Sequence, residues 1–152
     1  MKKISIILFA LIIAGCDYCK SPNELPKKND LFGVWTLVEK SKNFTNDKGY
    51  SKTDSSISLT EDGSFKIANI PSMWRSEFGR PNWEYENVQG TWRISKIPDS
   101  EHILLFLDVE NVNGQEIKIG YAGCSVCEEG NNLQLSFGIG DPDERNNLVF
   151  AK

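Results

Sequence analysis

The chain has 152 residues, 17 of them basic and 21 acidic, which gives a formal charge of −4 at neutral pH. This length predicts a single domain, and the acidic balance argues against nucleic acid as a partner. The sequence contains neither a Gly-x-Ser-x-Gly motif nor a phosphate-binding loop, and it suggests no cofactor and no metal site. We therefore expect a protein that is not an enzyme.

Residues 1–15 have the layout of a secretion signal. Two lysines form a positive start, residues 4–13 are apolar apart from one serine, and Ala14 and Gly15 are small. A signal peptidase needs small residues next to the bond that it cleaves. Ten helical residues span about 15 Å, roughly half of a bilayer core, so the segment is too short for a permanent transmembrane helix.

The residues at the cleavage site, Ile13-Ala14-Gly15-Cys16, resemble the bacterial lipobox, in which an aliphatic residue and two small ones precede an invariant cysteine. The resemblance implies that Cys16 receives a diacylglyceryl group, that the chain is cut before it, and that its new amine is usually acylated too. Two or more acyl chains anchor a protein stably, because each buried CH₂ contributes about 0.8 kcal/mol. The alternative is an ordinary signal peptide with a cysteine after the cleavage site.

Residues 16–30 are predicted to be the lipidated cysteine and a flexible tether. Pro22 and Pro26 interrupt a polar stretch that reaches about 43 Å when extended. Asp17 follows the lipobox cysteine, and in enteric lipoproteins this residue indicates retention in the inner membrane. The rule varies between lineages, so the choice of inner or outer membrane stays open. The predicted location is the bacterial cell membrane, with the domain facing the periplasm or the exterior.

The mature chain is more acidic than the whole sequence. Loss of the two signal lysines leaves 15 basic against 21 acidic side chains, a formal charge of −6. Such a domain is repelled by anionic lipid. We therefore expect the lipid, and not the protein surface, to make the contact with the membrane.

Residues 31–152 are predicted to form an all-β domain, an antiparallel up-and-down small barrel of about eight strands. Apolar and polar residues alternate with period two, most clearly where Val88, Trp92 and Ile94 share one face. A sheet of this size hides its edges best by closing on itself. The run of apolar residues at 103–107 predicts a strand that is covered on both faces.

The connections are predicted from turn residues and from the absence of helical spacing. Asn113-Gly114 and Asp62-Gly63 suit tight hairpin turns, which need residues that tolerate positive φ. No window keeps apolar residues at helical spacing with caps, so we predict no helix. Residues 123–130 are predicted to be a connection between two strands.

Two Gly-x-Trp motifs, Gly33-x-Trp35 and Gly90-x-Trp92, carry a second resemblance. A Gly-x-Trp in the first strand resembles the lipocalin and calycin barrels, where the tryptophan plugs the closed end. That resemblance implies a basic residue stacked on the tryptophan, for which Arg145 and Lys152 are the candidates. The chain departs from lipocalins because it lacks a clear N-terminal helix and a helix late in the sequence.

The chain is also similar to small bacterial lipoproteins whose function is not defined. The similarity covers most of the mature domain. It implies a lipocalin-like fold and imports no activity. The shared motifs are Leu59-x-x-Asp62-Gly63-x-Phe65, Asn69-x-Pro71, Gly90-x-Trp92 and Ile139-Gly140-Asp141-Pro142-Asp143.

The pair Cys124 and Cys127 has three interpretations. The first is a structural disulfide, either within the pair or from one of the two to Cys19, since oxidising conditions favour bridges in secreted proteins. The second is thiol-redox catalysis, which usually needs a cysteine near a helix N-terminus. The third is a metal site completed by Cys19 and His102, although zinc wants four ligands and no second close pair exists.

Aromatic and basic side chains are concentrated in residues 73–85, a long connection between strands. Aromatic residues on a loop at a barrel mouth line ligand pockets or form binding patches, and Trp, Tyr and Arg dominate interface energies. The alternative is that the rings cap one end of the barrel as core. The candidate binding residues are Trp74, Arg75, Phe78, Arg80, Trp83 and Tyr85.

Together these features predict a membrane-anchored, non-enzymatic binding module of the cell envelope. Its partner would be a small apolar ligand in the barrel or a protein bound through residues 73–85. One variant of this hypothesis is an inhibitor or immunity-type lipoprotein that neutralises an enzyme outside the cytoplasm. The runner-up is a thiol-redox enzyme that uses Cys124 and Cys127.

Overall fold

A computed structural model of the chain describes residues 19–47, 49, 54–71, 85–116, 121–139 and 146–152. The predicted signal peptide, the lipidation site Cys16 and the binding candidates Trp74, Arg75, Phe78, Arg80 and Trp83 lie outside the described residues. The elements in chain order are α1 (Lys28–Leu31), β1 (Gly33–Leu37), α2 (Glu39–Asp47), β2 (Ser56–Leu59), β3 (Ser64–Pro71), β4 (Tyr85–Lys96), β5 (Ile103–Val112), β6 (Gln115–Glu116), β7 (Tyr121–Glu129), β8 (Asn132–Ile139) and β9 (Asn146–Ala151).

The strands form a closed antiparallel barrel. Each strand of β1 to β5 pairs with the next, β5 pairs with β7, and β7 continues through β8 to β9. The barrel closes because β9 pairs back onto β1, with Leu37 opposite Phe150. Among the described residues, the two-residue β6 pairs with the end of β5 and is a ninth strand outside the ring of eight. The predicted all-β, up-and-down barrel of about eight strands is confirmed.

The core fills the barrel with one side of every long strand. In β4 the inward face carries Val88 and Trp92, as the alternation predicts. In β5 the inward residues from Ile103 to Leu107 are fully buried, while Leu104 and Phe106 on the outer face are half-buried. The prediction that both faces of this strand are covered is therefore only partly met. The guanidinium of Arg93 lies 4.2 Å from the centre of the Phe106 ring and shields it from one side.

The prediction of no helix is wrong. Helix α2 lies in the connection from β1 to β2, and its polar sequence buries only Ser41 and Thr45. The Ser41 hydroxyl accepts a hydrogen bond from Val149 N at 2.9 Å and fixes the helix to β9. A helix held by a polar contact shows no apolar periodicity. Helix α1 is a single turn, too short for any periodicity to appear.

The prediction that residues 123–130 connect two strands is also wrong. Strand β7 runs through Cys124 and Cys127 to Glu129, and only Gly130 and Asn131 make the turn to β8. Gly130 has a φ of 63°, a conformation that favours glycine. Ala122, Gly123, Glu128 and Glu129 are of residue types that are depleted in strands, so local sequence did not reveal this strand.

Candidate functional site

One end of the barrel is closed by a tryptophan and by the helical turn that precedes it. We call this end, where β1 begins, the closed end, and the opposite end the far end. The Trp35 side chain is only 1% exposed, and its indole N–H donates a hydrogen bond to the carbonyl of Leu31 at 2.9 Å. Leu31 is itself fully buried. Helix α1 is therefore the plug that ties the chain entering the barrel to the tryptophan inside it.

Lys152 lies over the outer side of this plug. Its ammonium is 4.8 Å from the centre of the Trp35 ring and donates to the carbonyl of Asp30 at 2.7 Å. Partial burial lowers the pKa of Lys152, and the nearby charge of Asp30 opposes that shift. Of the two candidates for the stacked basic residue, Lys152 occupies the position, and Arg145 lies outside the described residues.

The glycine of each Gly-x-Trp motif has a steric role. Gly33 has a φ of 121°, which side-chain-bearing residues rarely adopt. A Cβ on Gly90 would lie 1.9 Å from the carbonyl oxygen of Asp108, at a point where the pairing of β4 with β5 shifts register. Both glycines thus permit a backbone path that alanine would obstruct.

Trp92, the second motif tryptophan, joins several elements at the closed end. Its indole N–H donates to the carbonyl of Thr60 at 3.2 Å, and its backbone N–H donates to Gly63 O at 2.8 Å. The Phe32 ring meets it edge-on with the ring centres 6.0 Å apart. The sequence predicted four barrel-closing residues. Gly33 and Trp35 lie at the closed end on β1, and Gly90 and Trp92 lie on β4, which runs toward that end.

The N-terminal part of the described chain is held against the barrel. We call residues 19–30 the strap. Cys19 forms a disulfide with Cys127, with their Cα atoms 4.9 Å apart, and Glu128 N donates to Lys20 O at 2.7 Å. Strand β7 pairs with β5 only as far as Ser125, so the last residues of β7 have no β5 residue beside them. The strap lies along this part of the edge of β7 and covers it. Residues 19–30, predicted as part of a flexible tether, are fixed at both ends.

Strand geometry separates the two cysteines of the Cys-x-x-Cys sequence. Side chains three positions apart in a strand point to opposite faces, so Cys124 enters the core while Cys127 reaches outward to Cys19. The structure therefore has the Cys19 bridge and no bridge within the pair. Burial raises the pKa of the remaining thiol, Cys124, which is the reverse of what a redox nucleophile needs.

The described candidates for a metal site do not form one. Cys19 and Cys127 are joined to each other. His102 lies in the turn before β5, and its side chain is exposed. Among residues 19–47, 49, 54–71, 85–116, 121–139 and 146–152, no three side chains of the ligand types come together in a way that could hold a metal ion.

A surface cleft of about 680 Å³ separates the strap from the turn that joins β7 to β8. Leu25, on the strap side, is 49% exposed. The residues that line the cleft include Pro22, Leu25, Pro26, Asn132, Leu133 and Lys152. The cleft is a feature that the sequence did not suggest, because it depends on a bridge between distant cysteines.

The two strands on either side of the predicted binding loop meet at the far end. Strand β3 reaches that end at Pro71, which is paired with Tyr85 at the start of β4. Tyr85 is half-buried and is the single described member of the six candidates. Glu86, which sequence analysis passed over, is only 5% exposed. It lies two positions before Val88, on the same inward face of β4. The period-two alternation in the sequence therefore already indicated that Glu86 would be buried.

No family model, no characterised protein and no solved structure matches the chain. The compatibility with lipocalin-like barrels therefore rests on the closed eight-stranded antiparallel architecture. Within the part of the chain that the structure describes, no helix is long and apolar enough to span a bilayer.

Proposed function

We propose that the protein is a bacterial envelope lipoprotein that is exported, cut before Cys16 and acylated there. The Cys19–Cys127 bridge is the observation that carries this proposal. Disulfides form and persist in oxidising compartments outside the cytoplasm. This bridge involves a residue only three positions after the lipobox cysteine. The signal-like residues 1–15 and the bridge thus support the same route out of the cell.

In this proposal the barrel is a non-enzymatic binding module for a protein of the envelope. The inward faces of the described strands form one buried cluster, which favours a partner at the far end over a small apolar ligand in the interior. Residues 73–84 join the strands there, and they supply the Trp and Arg types that dominate interface energies. An inhibitor or immunity-type lipoprotein is one form that such a module takes.

Crosslinking in the native host tests the binding role. The wild-type protein and a Trp74→Ala/Trp83→Ala variant are crosslinked, purified through an affinity tag and compared for what co-purifies. The proposal predicts that a partner captured by the wild type is lost from this variant. Val34→Ala is the matched control, because Val34 is 58% exposed on β1 at the closed end and should leave capture unchanged.

The fold of each variant has to be checked by near-ultraviolet circular dichroism and by thermal unfolding. A folded Trp74→Ala/Trp83→Ala variant that captures the partner as well as the wild type would rule out this loop as the binding site. Loss of capture in the control as well would mean that the loss is not specific to this loop, and it would contradict the proposed site.

A further inference from the structure

We infer that the closed end of the barrel faces the bilayer and that the far end points away from it. This inference rests on the proposed function, because it takes Cys16 as the acylated residue. It goes further in assigning a fixed orientation to the domain. The argument uses the anchoring of the strap and the position of the exposed apolar side chains.

The strap fixes the point from which the chain leaves the barrel. Cys19 is bonded to Cys127 near the end of β7, and Lys20 O is bonded to Glu128 N. Both contacts lie next to the turn that joins β7 to β8, which is at the closed end. The barrel therefore releases its N-terminal segment at the closed end.

The remaining reach is short. Cys16 and Cys19 are three positions apart, and a fully extended chain of that length spans at most about 11 Å. The ten residues of β5, inclined as barrel strands are, separate the two ends by roughly 25 Å. Because the reach is less than half of the barrel's height, acyl chains at Cys16 can enter a bilayer only if the closed end is near it.

The exposed apolar side chains are found at the same end. In the described part of the chain, the two large hydrophobic residues with exposed side chains are Leu25 at 49% and Val34 at 58%. Leu25 lies on the strap and Val34 at the start of β1. Lys20 and Lys27 are exposed on the strap, and lysine stems lie along apolar surface while their ammonium groups reach polar headgroups. The Lys28 ammonium lies 5.8 Å from the centre of the Trp92 ring instead.

The surface that faces the bilayer therefore combines apolar side chains with charged side chains of both signs. Exposed carboxylates lie at the same end, so the closed end is not a basic patch: Glu24 and Asp30 on the strap, Glu61 and Asp62 in the turn before β3, Asp99 and Glu101 in the turn before β5, and Glu129 at the end of β7. The contact is with the headgroup region of a lipid bilayer, and it is held in place by the acyl anchor.

Fluorescence quenching tests this orientation. The full chain is expressed in a host that acylates it, with a fluorescent amino acid in place of either Asn131 or Glu116, and it is reconstituted in phosphatidylcholine vesicles that carry a nitroxide on a fraction of the headgroups. Both positions are exposed, Asn131 at the closed end and Glu116 beside the far-end hairpin. We expect quenching at position 131 to exceed that at 116 several-fold.

A Cys19→Ser/Cys127→Ser variant is the matched control. It keeps Cys16 and frees the strap, so the difference between the two positions should shrink. Equal quenching at 131 and 116 in wild-type protein that carries fatty acid overturns the orientation and leaves the lipoprotein proposal standing. Failure to incorporate fatty acid overturns the lipoprotein proposal first, and the orientation with it.

Discussion

Cys19 and Cys127 are separated by 108 residues in the sequence, and the disulfide between them brings their Cα atoms to 4.9 Å. This bridge turns the segment before the barrel from a free tether into a strap that lies against the wall. It also determines what the other two cysteines can do. Cys124 is left as a buried thiol, and the reach from Cys16 to the barrel is limited to three residues.

Removal of the bridge should weaken the fold substantially. Closing a loop of this length stabilises a protein by about 4 kcal/mol, mainly through the entropy of the unfolded chain. We expect Cys19→Ser/Cys127→Ser to lower the free energy of unfolding in urea by that order. Cys124→Ala removes one buried sulfur and should cost only about 1 kcal/mol. A larger loss from Cys124→Ala than from the double variant would contradict the assigned bridge.

The number of cysteine thiols that react with an alkylating reagent should differ between native, denatured, and denatured and reduced protein. Protein that is acylated at Cys16, as proposed, should resist iodoacetamide in its native state, because Cys124 is buried and burial raises its pKa. Denaturation without reductant should expose one reactive thiol, and denaturation with reductant should expose the thiols of Cys19, Cys124 and Cys127. Mass spectrometry of the alkylated chain gives these counts. Alkylation of Cys124 in the native protein, or no reactive thiol after denaturation alone, would contradict this pairing.

Substitution of Gly90 should show that the close contact between the backbones of β4 and β5 at this residue requires glycine. In Gly90→Ala the new methyl would collide with the carbonyl of Asp108. The loss of stability should be about 3 kcal/mol or more, if the variant folds at all. Gly123→Ala is the control, since its Cβ would meet only Leu104 at 3.9 Å, and it should change stability by less than about 0.5 kcal/mol. Equal tolerance of both changes would refute the steric role of Gly90.

Asp62 should make stability depend on pH in the acid range. Hydrogen bonds from the Thr60 hydroxyl and from Ser64 N lower its pKa from 3.8 to about 2. A carboxyl with a lowered pKa in the folded state stabilises that state above pH 3.8, and the contribution is lost as the pH falls to about 2.

The matched variant is Asp62→Asn, which keeps the shape of the turn and cannot titrate. Urea unfolding at a series of pH values should show the stability advantage of the wild type shrinking from pH 3.8 down to about 2. An advantage that stays constant over that interval would mean that Asp62 is not held by these hydrogen bonds.

The sequence predicted the barrel because its strands bury one face and alternate accordingly. Val88 and Trp92 on β4 show the pattern directly. The hairpin at Asn113 and Gly114 follows from turn chemistry, and both residues have positive φ. These features are local, so periodicity and turn propensity are sufficient to find them.

The closed end could be predicted only in part. The Gly-x-Trp motifs located Trp35, but the residue stacked on it, Lys152, comes from the other end of the chain and has no local signal. The partner of Cys127 was one of several alternatives for the same reason, since the spacing of cysteines does not determine their pairing. Helix α2 was missed because Ser41 and a single aromatic ring, Phe44, hold it against the barrel in place of an apolar stripe.

The central claim is that Cys19 is joined to the barrel by a disulfide and that the chain is acylated at Cys16, three positions before it. One measurement tests this claim most directly. Membrane-extracted protein is digested with trypsin without reduction and analysed by mass spectrometry. The account predicts that residues 16–20 begin with an acylated Cys16 and are joined by a disulfide at Cys19 to residues 119–145, in which Cys124 remains a free thiol. A mature terminus elsewhere, an unmodified Cys16, or a bridge from Cys124 to Cys127 would contradict it.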